Sequence, residues 1–512
     1  MLSLARLLVP AIRWDVARGF DPQRDAIDHA LALGVGGFLI RGGTREAVAA
    51  LAAELHERSR TPLLLAAGVE RGAGQQFEGC VGLPPLGALG ALGDLNAVHR
   101  AAQITARELK ELRLNWALAP VCDLDVEPES PMVGTRGAGA DPARVSAVIE
   151  EWIDACQAEG VLACAKHFPG HGHAVHDVAH DAACAPPVVR ARAGALRHED
   201  LAPFRVALDA GVASMMVSCA AFPSLDSSGA SATFSAPILT ELLRREMKFD
   251  GLAVSDALER ASAFGLGPEP DAAVRAIAAG CDVLLGPTDV AGVARALERA
   301  ALQGEIEADR ARDALERVER WAGWSRSTPG RGTTLDDAMW ARQLADRTVT
   351  LARGAIPRLG DAAEIVVVDD EAGRAAGSPG AAPGSAAGAR RLGEWTNPRH
   401  TPFAEALRAL DVEAHVVHDP TSGTRVPVLV AVFGDRVEGK NLAGLSEASL
   451  MGVARILEQA HTRARETLVV LFAHPRRASQ LSEALNVLCA WGGDAPMQAA
   501  AARVIVGDIT SG

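Results

Sequence analysis

Eight short apolar runs recur between residues 4 and 286: LARLLVPAI (4–12), VGGFLI (35–40), PLLLAA (62–67), NWALAPV (115–121), VLACA (161–165), ASMMVS (213–218), GLAVS (251–255) and CDVLLG (281–286). Segments of helical spacing separate them, such as TREAVAALAAELHERS and PARVSAVIEEWIDACQAEG. A strand that is apolar throughout must be covered on both faces, and alternation with amphipathic helices is the pattern of a parallel sheet wrapped by helices. Eight such units fit a (β/α)8 TIM-type barrel, whose usual size is about 250 residues. Gly34, Gly160, Gly211 and Gly280 each follow a helical stretch and precede a strand, where a left-handed C-cap belongs. An open doubly wound sheet is the competing arrangement. It commonly carries a G-x-G-x-x-G turn, and GVGGFLIRGG and GALGALG lack that spacing.

The segment SRSTPGRGTT (325–334) is rich in turn formers and reads as the start of a linker, followed by the helix LDDAMWARQLADRTVTLAR. A second set of strand candidates comes next: EIVVVDD (364–370), VEAHVVH (412–418), PVLVAVFG (427–434), TLVVLFAH (467–474) and NVLCAWG (486–492). Helices lie between them, which implies a smaller three-layer α/β domain. EAGRAAGSPGAAPGSAAGARR (371–391), poor in apolar bulk, reads as a mobile loop. The expected organisation is a barrel over residues 1–325, a linker and connecting helix over 326–360, and an α/β sandwich over 361–512.

A formal charge of -13 argues against a binder that neutralises nucleic-acid phosphates. The eight cysteines show no CxxC spacing and several lie inside apolar runs, as buried thiols in a reducing compartment do. No run reaches the ~18 apolar residues of a membrane helix, and the apolar stretch in MLSLARLLVPAIRW is short for a secretory signal. The expectation is a soluble cytoplasmic protein with no membrane or nucleic-acid partner. Its oligomeric state is left open.

Residues 161–181, VLACAKHFPGHGHAVHDVAHD, run from an apolar strand into a crowd of histidines and aspartates. Barrels place their working residues at the C-terminal ends of strands. The candidates there are Glu70, Asp123 and Asp125, Lys166 and His167, Ser218 and Cys219, and Ser255 and Asp256. Lys166 is one of only four lysines, at 110, 166, 248 and 440, in a chain that otherwise uses arginine. A compact ammonium is not interchangeable with a guanidinium fork, which favours a specific contact. Asp256 reads as a nucleophile or as the N-cap of the helix that follows. The histidine loop has two uses. His167, His171, His173, His176 and His180 with Asp177 and Asp181 supply ligand types that suit zinc, but they lack HExxH spacing, so no metal is expected. Alternatively, Asp177 and His180 form an acid–base pair, with His171, His173 and His176 as solvated loop residues.

The strings KHFPGHG and FDGLAVSDALE, together with LNWALAPVCDLDVEPESPMVGTRGAGADP, carry a resemblance. Over most of residues 20–320 the chain resembles the bacterial β-N-acetylglucosaminidases of glycoside hydrolase family 3, and residues 361–512 are similar to the second domain of two-domain members. The resemblance implies a retaining, cofactor-free exo-β-glycosidase acting on terminal β-linked N-acetylglucosamine of cell-wall or chitin-type fragments. Asp256 would be the nucleophile and Asp177 with His180 the acid–base pair. Asp123, Arg136, Lys166 and His167 would hold the sugar hydroxyls, and Glu70 is counted with them as a substrate-binding residue. The chain departs from the family pattern twice. One further residue separates Asp177 from His180, and Gly68, Ala73 and Gln76 replace an aspartate and two arginines. These departures keep two alternatives in view: a β-glucosidase or other β-glycosidase on the same barrel, and a silent sugar-binding barrel.

Overall fold

The computed structural model describes residues 3–128, 130, 132–175, 187–259, 267–324, 332–370, 401–421, 423–434 and 444–507. Asp177 and His180, with His176, Asp181 and the segment 371–391, lie outside the described residues. The chain divides into two compact units, residues 1–82 with 93–337, and residues 83–92 with 338–512.

In the first unit the strands are β1 (Leu8–Val9), β2 (Ala11–Arg13), β3 (Gly37–Arg41), β4 (Leu64–Ala67), β5 (Trp116–Ala117), β6 (Cys164–Phe168), β7 (Ala174–Val175), β8 (Val188–Val189), β9 (Ser214–Val217), β10 (Leu252–Val254) and β11 (Leu284–Leu285). β2, β3, β4 and β5 pair in parallel, as do β6, β9 and β10. Parallel bridges Trp116 to Leu162 and Val121 to Lys166 join the first set to the second, and Val254 to Val283 leads on to β11. β11 pairs in parallel with β1, so the eight expected strand positions close into a ring. β7 and β8 form a separate antiparallel ribbon outside it.

The ring closes because its strands bury both faces. β4, β9 and β10 are buried at every residue. Trp116 is fully buried, and its indole N–H donates to Ser214 Oγ at 2.9 Å. That bond satisfies the one polar atom of a large apolar side chain. The four glycines expected at helix ends all take positive φ, from 69° at Gly211 to 134° at Gly280.

The second unit is a six-stranded sheet of β12 (Thr350–Arg353), β13 (Ala362–Asp369), β14 (Glu413–Val417), β15 (Val428–Phe433), β16 (Thr467–Phe472) and β17 (Val487–Cys489), in the order β12-β17-β16-β15-β13-β14. All pairings are parallel except β12 with β17. Leu429, Phe433, Leu468 and Phe472 face Phe403, Leu407, Met497 and Ile505 on one side. Val430, Val432, Val469 and Leu471 face Val453, Ile456 and Leu457 on the other. This is the three-layer arrangement expected, with one difference. Residues 350–353, read from the sequence as part of the connecting segment, are an edge strand of the sheet.

At the barrel end opposite the C-terminal strand ends, Asp282 is fully buried. It receives Arg244, Arg310 Nη2 at 2.6 Å and Arg317 Nη1 at 3.4 Å, and the Ala253 N–H at 2.9 Å. Removing one partner of a buried ion pair costs about 3–5 kcal/mol, because the other charges stay desolvated. Asp282→Ala is expected to lose about that much in urea denaturation followed by circular dichroism. A loss below about 1 kcal/mol, the range of exposed pairs, contradicts this reading.

Candidate active site

The C-terminal ends of β4, β6, β9 and β10 and the segment after β5 bring Glu70, Asp123, Lys166, His167, Ser218 and Asp256 to one rim of the barrel. Glu70 holds two cations at once. Its Oε2 accepts from Arg136 Nε at 2.8 Å and its Oε1 from Arg136 Nη2 at 2.7 Å, and Lys166 Nζ also lies 2.7 Å from Oε1. Lys166 Nζ donates in addition to the Leu118 carbonyl at 2.5 Å. Burial opposes ionisation of Glu70, but Arg136 and Lys166 overcome it and hold the carboxyl well below the usual range. Glu70, expected as a sugar-binding residue, has both oxygens engaged by neighbouring cations.

Asp123 is fully buried and accepts from several donors. His167 Nδ1 lies 2.7 Å from Oδ2, the His167 backbone N–H approaches Oδ1 at 3.2 Å, and the His171 backbone N–H donates to Oδ1 at 2.6 Å. Burial again opposes ionisation, and His167 and His171 more than offset it, so the carboxyl is held low. His167 is pushed down by burial, against the pull of Asp123. His167 Nε2 faces Arg136 Nη2 at 3.4 Å.

His171 departs from expectation. The glycine-rich loop pattern predicts a solvated residue, yet it is 1% exposed. Its Nε2 lies 2.6 Å from Ser218 Oγ, and its ring packs 4.7 Å from that of His167. Burial and His167 push its pKa down to about 3, partly offset by Asp123 and Asp256. Asp256 thus lies within electrostatic reach of this imidazole. Asp256 Oδ1 accepts the Ala257 N–H at 2.7 Å. The glycines of the KHFPGHG string let the loop lie this close. A Cβ at Gly170 would come within 2.9 Å of Asp200 Cβ, and one at Gly172 within 2.6 Å of the Leu124 carbonyl oxygen.

Asp200 is the functional-site neighbour that sequence reasoning missed. It lies in the helical stretch after β8, with nothing in its local pattern to separate it from a surface acid. It is 1% exposed, and its Oδ1 lies 3.2 Å from His173 Nδ1. His173, also read as solvated, is half-buried, and its bond to Asp200 raises its pKa. At Gly68, a Cβ would meet, among the described residues, only Gln76 Nε2, at 3.9 Å. The rim therefore has space where the family pattern carries a carboxylate.

A closed parallel barrel whose strand ends present buried cations, carboxylates and imidazoles is an enzyme scaffold of the TIM-barrel class. Comparison with known proteins makes the assignment specific. Residues 18–321 match the family model described as the glycosyl hydrolase family 3 N-terminal domain. The chain belongs to glycoside hydrolase family 3. It is 32% identical over 352 residues to a β-hexosaminidase of Chromobacterium violaceum, covering 67% of this chain and 95% of that protein. It is 31% identical over 345 residues to a β-N-acetylglucosaminidase/β-glucosidase of Cellulomonas fimi, covering 63% of this chain and 60% of that protein. Among solved structures, a family 3 β-N-acetylglucosaminidase from Paenibacillus sp. superposes with a TM-score of 0.80 at 22% identity, over 99% of this chain and 96% of that one. That likeness extends the shared fold across both units.

His173 gains a partner on folding, so its folded pKa lies above the unfolded one. Its contribution is present in full below the unfolded value, near ~6.5, and is lost as pH rises through the folded value. Melting temperatures of the wild type and of His173→Gln are expected to differ most near pH 6 and to converge above about pH 8. A difference that stays constant across that range contradicts the pairing.

Proposed function

We propose that the chain is a retaining exo-β-glycosidase that releases terminal β-linked N-acetylglucosamine from cell-wall or chitin-type fragments. The observation that carries this reading is the buried array of Glu70, Arg136, Lys166, His167 and Asp123 at the strand ends beside Asp256. Such an array supplies aimed N–H donors to sugar hydroxyls in a site shielded from water. Hydrogen bonds there are stronger than in bulk solvent and can tighten as the ring flattens towards an oxocarbenium ion. The relatives' names, β-hexosaminidase and β-N-acetylglucosaminidase, point to the 2-acetamido sugar.

In this reading the Asp256 carboxylate attacks the anomeric carbon, and the bond to the leaving oxygen breaks as that oxygen takes a proton. The resulting glycosyl ester is hydrolysed by water, with the β configuration retained. The proton donor is the Asp177–His180 pair, which returns as the base that activates water. His167 and His171 are poor donors, because both imidazoles are held neutral. A cytoplasmic place of action fits the cysteines, which among the described residues are mostly buried free thiols.

Asp256→Ala is expected to abolish turnover of aryl 2-acetamido-β-glucosides, a loss of about 10⁴-fold or more for a missing nucleophile. Unchanged turnover contradicts the proposal. His180→Gln is expected to slow substrates with poor leaving groups far more than those with dinitrophenolate, which departs without a proton. An equal loss for both classes argues against its role as the acid.

A β-glucosidase is the second reading, favoured by the space at Gly68. A Cβ has room there among the described residues, so Gly68→Asp is expected to restore a hydroxyl contact and to raise kcat/KM several-fold for the preferred sugar, within the ~0.5–1.5 kcal/mol of one hydrogen bond. A panel of aryl β-glycosides with and without the 2-acetamido group separates the two readings. Preference for the plain glucoside favours the second.

A further inference from the structure

Asp123, His167 and His171 are all buried, and one ligand atom from each lies within 4.8 Å of the others. Two imidazoles and a carboxylate are the donor set of many transition-metal sites, and imidazole selects these ions over magnesium or calcium. Proximity alone would not make a site, but His171 adds a second observation. Its Nδ1 is buried and has no hydrogen-bond partner among the described residues, although a buried polar atom is normally paired. Its other nitrogen, Nε2, lies 2.6 Å from Ser218 Oγ, which also accepts the Ala220 N–H at 2.9 Å. A proton on Nε2 is donated to that oxygen and leaves Nδ1 as a bare lone pair. Metal-bound histidines are held this way, with the far N–H fixed by an outer partner and the near nitrogen free to bind.

Local charge permits a cation. Arg136 and Lys166 are the nearby positive groups, and each already lies 2.7 Å from Glu70 Oε1. Asp123 and Asp256 remain as negative charge beside the two imidazoles. The 2.7 Å between His167 Nδ1 and Asp123 Oδ2 must open to the roughly 3.3 Å that separates two ligands of tetrahedral zinc. That opening is about half an ångström, the proton shared by the pair leaves to solvent as the ion binds, and the wider separations of the cluster, at most 4.8 Å, close towards the same value.

We propose that Asp123, His167 and His171 bind one divalent transition ion such as Zn²⁺, and that its occupancy excludes the sugar. The ion acts as a reversible inhibitor, since it engages the groups that would otherwise orient sugar hydroxyls. The metal affinity stands on the cluster alone. Only the inhibition rests on the glycosidase reading.

The test is a Zn²⁺ titration of chelator-treated protein against a chromogenic chelator, with free N-acetylglucosamine as competitor. One Zn²⁺ per chain is expected, with affinity lowered by the sugar. In His171→Ala the affinity should fall by about 100-fold or more, and in Ser218→Ala by about 10–100-fold, the usual cost of losing an outer partner. Failure to bind a stoichiometric ion, or binding unchanged by either substitution, overturns the proposal. Should the variants misfold, Co²⁺ added to the wild type decides. Intense visible bands of a low-coordinate nitrogen site support it, and the weak spectrum of octahedral Co²⁺ overturns it. A protein that binds Zn²⁺ in this way but turns over no glycoside would refute the proposed function and leave the site standing. In an active enzyme, Zn²⁺ should inhibit competitively and the chelator should restore full rate.

Discussion

The rim of the barrel is organised around a carboxylate that water does not reach. Asp123 meets the ring and backbone of His167 and the backbone of His171, so one side chain ties the segment after β5 to both the end of β6 and the loop that follows. Desolvation is the reason the arrangement is tight. An ionised carboxylate inside the fold is tolerated only when its lone pairs are filled by donors, and here donors come from two histidines four residues apart. Glu70 repeats the logic one strand away, with a guanidinium fork and an ammonium in place of imidazoles.

The architecture was legible in the sequence because it rests on repetition. Each apolar run had to be covered on both faces, and eight of them leave few alternatives to a closed ring. Closure itself was not written locally. It depends on pairings such as Leu8 with Leu284, between residues at opposite ends of the first unit. The second sheet was legible for the same reason, save for β12. Its four exposed residues, Thr350–Arg353, have no apolar periodicity, and it is a strand only because β17 offers it an edge.

The site was legible in its residue types and less so in their division of labour. The position of Lys166 and His167 at a strand end, and of Asp256 after another, followed from the barrel. The burial of His171 did not, because glycine and proline around it read as an exposed turn. Those glycines instead allow backbone to pass against Asp200 and Leu124, a tertiary fact with no local signature. Likewise the sequence shows Glu70 as an acid at a strand end, and only the fold reveals the two cations beside it.

The edge strand β12 also bears on how this protein can be dissected. A fragment begun at residue 361, where the apolar pattern places the start of the second domain, lacks Thr350–Arg353. The outer edge of β17 is then left with unpaired N–H and C=O groups flanked by Val487 and Leu488. An apolar strand with an open edge is a template for pairing with another copy of itself. The isolated piece would be prone to self-association for a reason that has nothing to do with its own packing. The short strand 350–353 belongs to the second fold as its guard against that fate.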